Sequence, residues 1–208
     1  MRKVNQRIIQ KDAKQKIFEA AAELFARDGY YKTSVREICE AAGVTKPVLY
    51  YYFKDKETLL EALVNETYSK VDELMAKHIG ENICLTDVLK GLTNLYLDFI
   101  KHYPHLTKFS TFIQSSSVPK RILEIKINRY QNEMQKFEKL IIQSQKKGIV
   151  EVKLNAEILA KNFIGTIIIM LSEFLIIKKN LRSLRDKLNL FTEFWIQTFI
   201  VKDCQEKL

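Results

Sequence analysis

Apolar residues recur along this chain at intervals of three and four, the spacing that places them on one face of an α-helix. No segment sustains the alternation of apolar and polar residues that is typical of a half-buried strand. Only 6 of the 208 residues are glycine and 3 are proline, so the helical patterns are seldom interrupted. The sequence therefore predicts an all-α protein with long helices.

The breaks between these patterns set the expected helix boundaries. A first helix over residues 12–28 ends at Gly29 and carries one apolar face, formed by Ile17, Ala21, Leu24 and Phe25. Later helices begin after capping residues or proline, and they end at glycine or at polar runs. They are expected over residues 55–78, 86–103, 104–114, 120–147, 155–179 and 184–202.

Two short helices joined by a glycine turn are predicted over residues 33–53, TSVREICEAAGVTKPVLYYYF. Ser34 and Glu37 have the spacing of a capping box at the start of the first helix. Gly43 stands where the chain leaves that helix, a position that favours positive φ. Pro47 falls in the first turn of the second helix, where a missing N–H costs little.

The second helix of this pair leaves a polar and aromatic face uncovered. Thr45 can cap its start. Its buried side is expected to come from Leu49 and the flanking valines, so that Lys46, Tyr50 and Tyr51 face outward. Exposed lysine and tyrosine side chains suit phosphate groups and thymine methyl groups. A helix pair of this kind places its second helix against the major groove of DNA.

Residues 14–64, KQKIFEAAAELFARDGYYKTSVREICEAAGVTKPVLYYYFKDKETLLEALV, resemble the DNA-binding domain of the tetracycline-repressor (TetR) family. The motifs are AAELFARDGY at the end of the first helix, the ICEAAGV turn, and LYYYFKDKETLL leading into the fourth helix. Together they cover about a quarter of the chain and are specific to the family. The resemblance implies an N-terminal three-helix helix-turn-helix DNA-binding domain over residues 1–56. A C-terminal helical ligand-binding and dimerisation domain over residues 57–208 would follow it.

The same resemblance implies that individual residues contact DNA. Phosphate contacts are implied for Thr33, Tyr50, Tyr52 and Lys56. Base contacts are implied for Lys46, Pro47 and Tyr51. Arg36, near the start of the preceding helix, would reach either a base or a phosphate. Thr45, which opens the reading helix, belongs to the same surface.

Basic residues are concentrated near this motif. The whole chain has a formal net charge of +9, and residues 1–56 hold 12 Lys and Arg against 7 Asp and Glu, a net of +5. This distribution favours a polyanion such as DNA as the partner. The segment before residue 12 adds a basic arm with Arg2, Lys3, Arg7 and Lys11. This arm either lies along the DNA or forms a solvated tail.

The last two predicted helices are too apolar for a protein that acts alone. Residues 163–177, FIGTIIIMLSEFLII, are short for a membrane span and are interrupted by two polar residues, so a buried helix is expected. The final helix carries two apolar stripes, one of Phe191, Trp195 and Phe199 and one of Leu190, Phe194 and Val201. Because a single core covers one stripe, a homodimer is predicted, as the resemblance also implies. Its interface is expected to include Gly165, Ile168, Phe191, Phe194 and Trp195.

Aromatic and methionine side chains recur between residues 86 and 178, where the resemblance implies an effector pocket. The candidate lining residues are Phe99, Tyr103, Phe109, Phe112, Tyr130, Met134, Phe137, Met170, Glu173 and Phe174. As a set they favour a small apolar or aromatic effector, although such a stripe is also typical of ordinary core. Glu173, a charge within an apolar helix, can pair with a cationic ligand or a lysine, or face solvent.

Candidate metal and catalytic groups are sparse. Cys39, Cys84 and Cys204 are too few and too scattered for a disulfide framework or a zinc site, and Cys39 is expected in the core. The sequence contains no phosphate-binding loop, nucleophile elbow or paired-carboxylate signature. We therefore expect no enzymatic activity, cofactor or metal. Neither a signal peptide nor a membrane span is expected, which implies a cytoplasmic location.

These features lead to one preferred function and two alternatives. The preferred hypothesis is a homodimeric repressor that binds a pseudo-palindromic operator in double-stranded DNA and leaves it when a small apolar effector binds. The second is a DNA-binding protein of the same fold without an effector, which a fully packed C-terminal domain would favour. The third, an all-α enzyme or lipid carrier, requires an acid–base pair that the sequence does not display.

Overall fold

The computed structural model of the chain describes residues 2–80, 84–113, 118–177 and 180–201, with side chains from residue 13 onward. Within these ranges the all-α class is confirmed. The β-type pairing found there is an isolated antiparallel bridge between Val150 and Ile200. The helices of the described part are α1 (Arg2–Asp28), α2 (Val35–Ala42), α3 (Lys46–Tyr52), α4 (Lys56–His78), α5 (Leu85–His102), α6 (Pro104–Ile113), α7 (Lys120–Lys146), α8 (Ala156–Ile177) and α9 (Leu181–Phe199).

All but one of the predicted helix boundaries agree with the structure within three residues, and two of the differences have local causes. The α1 backbone is helical from Arg2 rather than from residue 12, because no glycine or proline interrupts the preceding segment. The side chains of that basic arm lie outside the described residues, so its place on DNA stays a prediction. α9 begins at Leu181 because the Asn180 side chain caps it, accepting a hydrogen bond from the Arg182 N–H at 2.6 Å.

The chain divides into two compact units. The first unit consists of residues 1–70 and 102–126, and the second consists of residues 71–101 and 127–208. The boundary predicted after residue 56 remains a prediction. In the first unit α2, α3 and α6 pack against α1. Phe25 of α1 has no exposed surface, and its ring lies 5.7 Å from that of Tyr30 and 6.2 Å from that of Phe112.

The core of the second unit is built on an aromatic cluster. Phe163 of α8 and Trp195 of α9 have no exposed surface, and their rings meet edge to face at 5.6 Å. Between α5 and α9, the buried hydroxyl groups of Thr93 and Thr192 bond to each other at 2.7 Å. The Thr192 hydroxyl also donates to the Leu188 carbonyl oxygen at 2.8 Å, so these buried polar groups have hydrogen-bond partners.

One face of α8 and one face of α9 are left uncovered by this core. Only 17% of the most apolar window of α8 is buried within the chain itself, so the burial predicted for this helix would require a partner. The exposed apolar side chains of the two helices are Ile158, Ile169, Ile176, Ile177, Leu190 and Phe194. By length and composition alone α8 could cross a membrane, a criterion that core helices of soluble proteins also meet.

The end of α4 is joined closely to α5. Asp98 accepts hydrogen bonds from Lys77 at 2.7 Å and from His78 at 2.9 Å, if the facing ring nitrogen carries the proton. These two partners lower the pKa of Asp98. At Gly91 the two helices approach so closely that an added Cβ would lie 2.6 Å from the His78 carbonyl oxygen and 2.9 Å from Ile79 Cγ1. This crossing therefore requires glycine.

We expect Gly91→Ala to lower the free energy of unfolding by about 1–3 kcal/mol, because the new methyl group meets backbone that cannot rotate away. Gly80→Ala is the control, since an added Cβ there meets nothing within 4 Å. Urea denaturation of both variants measures the difference. Equal stabilities of the two variants would contradict the close approach at Gly91.

Candidate nucleic-acid interface

The start of α2 is held by the predicted capping box. The Ser34 backbone N–H and hydroxyl both donate to Glu37 Oε2 at 2.7 Å, and the Glu37 N–H donates back to Ser34 Oγ at 3.2 Å. The backbone bond, followed by the hydroxyl bond, lowers the pKa of Glu37. Ile38 and Ala42 are buried below this cap. The sequence prediction for α2 is confirmed.

The turn between α2 and α3 depends on Gly43. Its φ of 63° is left-handed, and its N–H bonds to the carbonyl groups of Cys39 and Glu40. Val44 then donates its N–H to the Cys39 carbonyl at 3.0 Å. These bonds close the end of α2 and redirect the chain within two residues, so that α3 follows at once.

α3 is anchored on one side and exposed on the other. Leu49 has no exposed surface, whereas Lys46 and Pro47 are exposed and Tyr50 and Tyr51 are 50% and 70% exposed. The predicted outward face is therefore confirmed as an exposed face.

The start of α3 differs from the prediction in one respect. Thr45 occupies the N-cap position with extended backbone, but its side chain makes no capping hydrogen bond. Pro47 lies in the first turn, and its ring fixes the backbone angle φ there. It therefore restrains the start of α3 in the absence of a capping hydrogen bond. The exposed Thr45 side chain stays within the predicted DNA-contact surface.

The aromatic residues at the end of α3 support one another. The Tyr51 and Tyr52 rings meet edge to face with centroids 4.9 Å apart, and Tyr52 lies 6.2 Å from Phe53. Phe53 is buried, whereas Tyr52 is half-buried. This contact chain restrains the exposed Tyr51 ring, so a partner does not have to order it.

The Arg36 side chain extends from the exposed side of α2. It is 76% exposed, and its Nε donates to Glu40 at 2.7 Å. An exposed pair one helical turn apart is weak and readily exchanged. Arg36 can therefore turn to a phosphate or a base, and its predicted role stays a prediction.

Thr33 requires a correction. The residue is only 2% exposed, and its hydroxyl donates to the Gly29 carbonyl oxygen at 2.8 Å. Its side chain closes the turn between α1 and α2, so it is not available for the predicted phosphate contact. The sequence pattern did not separate these roles, because a threonine before a capping serine is compatible with both.

Lys56 also has partners that the sequence did not predict. Its Nζ donates to the carbonyl oxygens of Tyr30 and Thr33, each at 2.8 Å, and lies 4.2 Å from the centre of the Tyr30 ring. Two of its three N–H donors are thus used within the protein. Tyr30 was missed as a supporting residue, although its position directly after Gly29 is a usable signal.

The ten predicted effector-pocket residues do not form one group. Phe109 and Phe112 are buried in the first unit with their rings 5.8 Å apart, so ordinary core describes them. Tyr103, also in the first unit, lies under Lys70 at 5.9 Å. Tyr130 is 51% exposed. A pocket role stays a prediction for the residues in the second unit other than Tyr130, namely Phe99, Met134, Phe137, Met170, Glu173 and Phe174.

Lys187 pairs with Glu173 and also lines a surface cleft at the start of α9. Lys187 Nζ lies 3.4 Å from Glu173, so pairing with a lysine is the alternative that is observed for this glutamate. A cleft of about 360 Å³ is lined by Asn180, Arg182, Ser183, Asp186, Lys187 and Leu190. None of the ten predicted pocket residues lines it. Five of these six lining residues are polar or charged, and Leu190 is the apolar one.

The predicted interface residues fall into two groups. Trp195 is fully buried within its own chain, so it cannot contact a second subunit, and its assignment is corrected. Phe191 is half-buried and stacks on Phe163 at 5.4 Å. Phe194 is 58% exposed, Ile168 is half-exposed, and an added Cβ at Gly165 meets nothing within 4 Å.

The two cysteines that the structure describes differ in their chemical state. Cys39 is a free thiol and is buried in α2, as predicted, and burial raises its pKa. Cys84 is disulfide-bonded, which the scattered spacing did not predict. Cys204 lies outside the described residues. No group of His, Cys, Asp and Glu side chains suited to a metal ion occurs among the residues that the structure describes.

The same residues that build this surface match a known family. Residues 17–63 match the family model of bacterial regulatory proteins, tetR family. The N-terminal part of the chain is a TetR-family domain. YttP of Bacillus subtilis strain 168, a probable HTH-type transcriptional regulator, is 37% identical over 99 residues, which are 46% of this chain and 47% of that protein. The chain thus spans about half the length of the curated relatives it matches.

Solved structures show that the TetR fold extends over most of the chain. The ketosteroid transcriptional regulator KstR2 of Mycobacterium tuberculosis aligns with a TM-score of 0.74 over 91% of this chain and 95% of its own, at 16% identity. FadR of Bacillus subtilis, solved in complex with stearoyl-CoA, aligns with a TM-score of 0.69 over 88% of this chain and 97% of its own, at 18% identity. At these identities the likeness shows the fold alone.

We expect Glu37→Gln to destabilise the protein at neutral pH. The native state lowers the pKa of Glu37. Its carboxylate therefore contributes stability above the ordinary glutamate pKa of about 4.3, and this stability is lost as the pH falls through the lower native value. Urea denaturation at neutral and acidic pH should show the difference between wild type and variant disappearing in acid.

Glu40→Gln is the matched control for this experiment. Glu40 is exposed and lies in the last turn of the same helix, where a negative charge opposes the helix dipole. Its substitution should leave stability at neutral pH nearly unchanged. An equal loss for both variants would mean that the capping box does not hold α2.

Proposed function

We propose that this protein is a homodimeric transcriptional repressor that reads DNA with α3. The observation that carries the proposal is the exposed face of α3, which is formed by Lys46, Pro47, Tyr50 and Tyr51. The opposite side of the helix is fixed by the fully buried Leu49. A short helix held in this way fits the major groove, which is wide enough for one helix. The match of residues 17–63 to the tetR-family model and the names of relatives such as YttP support the same proposal.

The chemistry of this face divides between bases and phosphates. Lys46, at the first position of α3, can donate to guanine O6 and N7, and Tyr51 offers an apolar ring for a thymine methyl group. Tyr50 and Tyr52 can donate their hydroxyl groups to phosphates at the groove edge, and Arg36 can add a charged contact from α2. The net charge of +5 over residues 1–56 would make binding depend strongly on salt.

A second copy of the chain is the proposed partner of α8 and α9. Their uncovered face carries Ile169, Ile176 and Phe194, all more than half exposed. Gly165 lies on α8 with open space above it, which would let another helix approach closely. A two-fold interface pairs each patch with its own copy, and a stable homodimer of this kind buries about 2,000 Å² or more. Two reading helices would then face half-sites about one helical turn apart or a multiple of it.

A small apolar effector is proposed to release the protein from DNA. Two proteins of the same fold support this proposal: FadR was solved in complex with stearoyl-CoA, whose acyl chain is apolar, and KstR2 is a ketosteroid transcriptional regulator. An effector that binds one arrangement of the second unit better would shift the protein towards that arrangement, and DNA would be lost if the reading helices no longer fit.

A regulator that acts without an effector is the second candidate. The full burial of Phe163, Ile167 and Trp195 favours it, because a closed core leaves little room for a ligand. Thermal unfolding with and without acyl-CoA and steroid probes distinguishes the two candidates. A probe that raises the melting temperature and weakens DNA binding supports the effector-released repressor.

We expect Lys46→Ala to relax sequence preference at one position of each half-site and to cost about 1–3 kcal/mol of binding free energy if the contact is bidentate to guanine. Selection from a random-sequence duplex pool measures the consensus before and after the change. Lys54→Ala is the control, since Lys54 is also exposed but lies beyond the end of α3. An unchanged consensus for Lys46→Ala would rule out base reading by this lysine.

We expect Phe194→Glu to convert the dimer into a monomer that binds a palindromic site poorly, because two copies of the new carboxylate would be buried near the two-fold axis. Val152→Glu is the control, since Val152 is 75% exposed and lies outside α8 and α9. Sedimentation at micromolar concentration reports the assembly state. A wild-type monomer under these conditions would refute the homodimer.

A further inference from the structure

The ammonium group of Lys56 is bonded to backbone. As the first residue of α4, Lys56 donates to the carbonyl oxygens of Tyr30 and Thr33, at 2.8 Å in both cases. The Tyr30 ring lies below the same nitrogen at 4.2 Å. Desolvation lowers the pKa of this lysine, as expected for an ammonium group withdrawn from water. Lys56 therefore connects two segments that are 23 to 26 residues apart in sequence.

The segment that Lys56 holds leads directly into the DNA-reading helices. Residues 29–33 form the turn after α1, and the Thr33 hydroxyl closes that turn on the Gly29 carbonyl at 2.8 Å. The next residue, Ser34, is the N-cap of α2. Any displacement of this turn relative to α4 would therefore move the start of α2.

The other end of the reading unit reaches the same lysine through the backbone. Phe53, the C-cap of α3, is 4% exposed and lies three residues before Lys56. Asp55 caps α4, accepting from the Thr58 N–H at 2.7 Å, so the Lys56 backbone is fixed in the first turn of that helix. Lys56 thus joins the entrance of α2 to the start of α4, while the chain itself joins the exit of α3 to the same point.

We propose that Lys56 is a positioning residue for DNA reading, which fixes the α1–α2 turn to the start of α4 and thereby sets the orientation of α2 and α3. This inference rests on the proposed DNA-binding function. Charge-assisted hydrogen bonds to carbonyl groups are strong and directional, so two of them from one nitrogen define the position of the turn closely. The same geometry makes α4 and the reading helices move together.

The test compares Lys56→Met with Lys54→Met. Both variants lose one positive charge, but Lys54 is an exposed neighbour outside the contact with the turn. The DNA is a duplex selected from a random-sequence pool with the wild-type protein. Affinity is measured against salt concentration at a temperature where circular dichroism shows each protein fully folded.

We expect Lys56→Met to weaken binding by about tenfold or more while the slope of affinity against salt concentration stays at the Lys54→Met value. A slope that falls by about one further unit in Lys56→Met would instead identify a direct phosphate contact and overturn the proposal. If the folded Lys56→Met protein binds DNA with unchanged affinity, Lys56 only stabilises the fold, and the proposal is also overturned.

Amide hydrogen exchange tests the same proposal without DNA. The N–H groups of residues 30–37 should exchange faster in Lys56→Met than in Lys54→Met, because the turn loses its attachment. Equal exchange in the two variants would overturn the positioning role even if the protein proved not to bind DNA. Conversely, faster exchange with no DNA binding by the wild type would leave the attachment in place and reject the proposed function.

Lys56→Arg provides the conservative variant. Its guanidinium group keeps the charge and the donors and can lie on the Tyr30 ring. It should retain affinity and exchange rates closer to wild type than to Lys56→Met. If Lys56→Met does not fold, Lys56→Gln is compared with Lys54→Gln in its place, and equal exchange of residues 30–37 in these two variants overturns the proposal. Identical binding defects of Lys56→Arg and Lys56→Met would count against it.

Discussion

Burial of one face of α1 is the constraint on which the first unit depends. Ile17, Ala21 and Phe25 have no exposed surface, because α2, α3 and α6 pack against that helix. Fully burying a side chain such as Phe25 contributes about 1.5–3 kcal/mol, far more than an exposed ion pair. The reading surface is therefore the outer side of elements whose inner sides are fixed on α1. Its polar residues face outward because their neighbours are held inward.

Polar contacts then set the directions that apolar packing leaves free. The Ser34 cap, the left-handed Gly43 and the Thr33 hydroxyl each act within a few residues, and they fix where one segment stops and the next begins. Lys56 acts over a much longer separation. The result is a surface whose exposed side chains require little ordering when they bind, because the backbone below them is already restrained.

The second unit combines a closed interior with an open side. Its interior is filled by Phe163, Trp195 and their neighbours, and the buried Trp195 Nε1 has no hydrogen-bond partner there. An unpaired buried donor costs about 1–3 kcal/mol of folding free energy. The packing of the Trp195 ring in this core therefore has to outweigh that cost. The open side on α8 and α9 is apolar over much of its length. Exposed apolar area of that kind in a soluble protein is typical of an interaction surface.

Local chemistry in the sequence was sufficient to predict the helices, the Ser34 cap, the Gly43 turn and the outward face of α3. Each depends on hydrogen bonds or periodicity within a few positions, so neighbouring residues determine it. Tertiary structure alone decided the roles of Thr33, Lys56 and Trp195. Whether a threonine is buried, whether a lysine reaches carbonyl groups, and which stripe of α9 is covered depend on residues far away in sequence. Pattern alone gives no distance between such residues, and only folding brings them together.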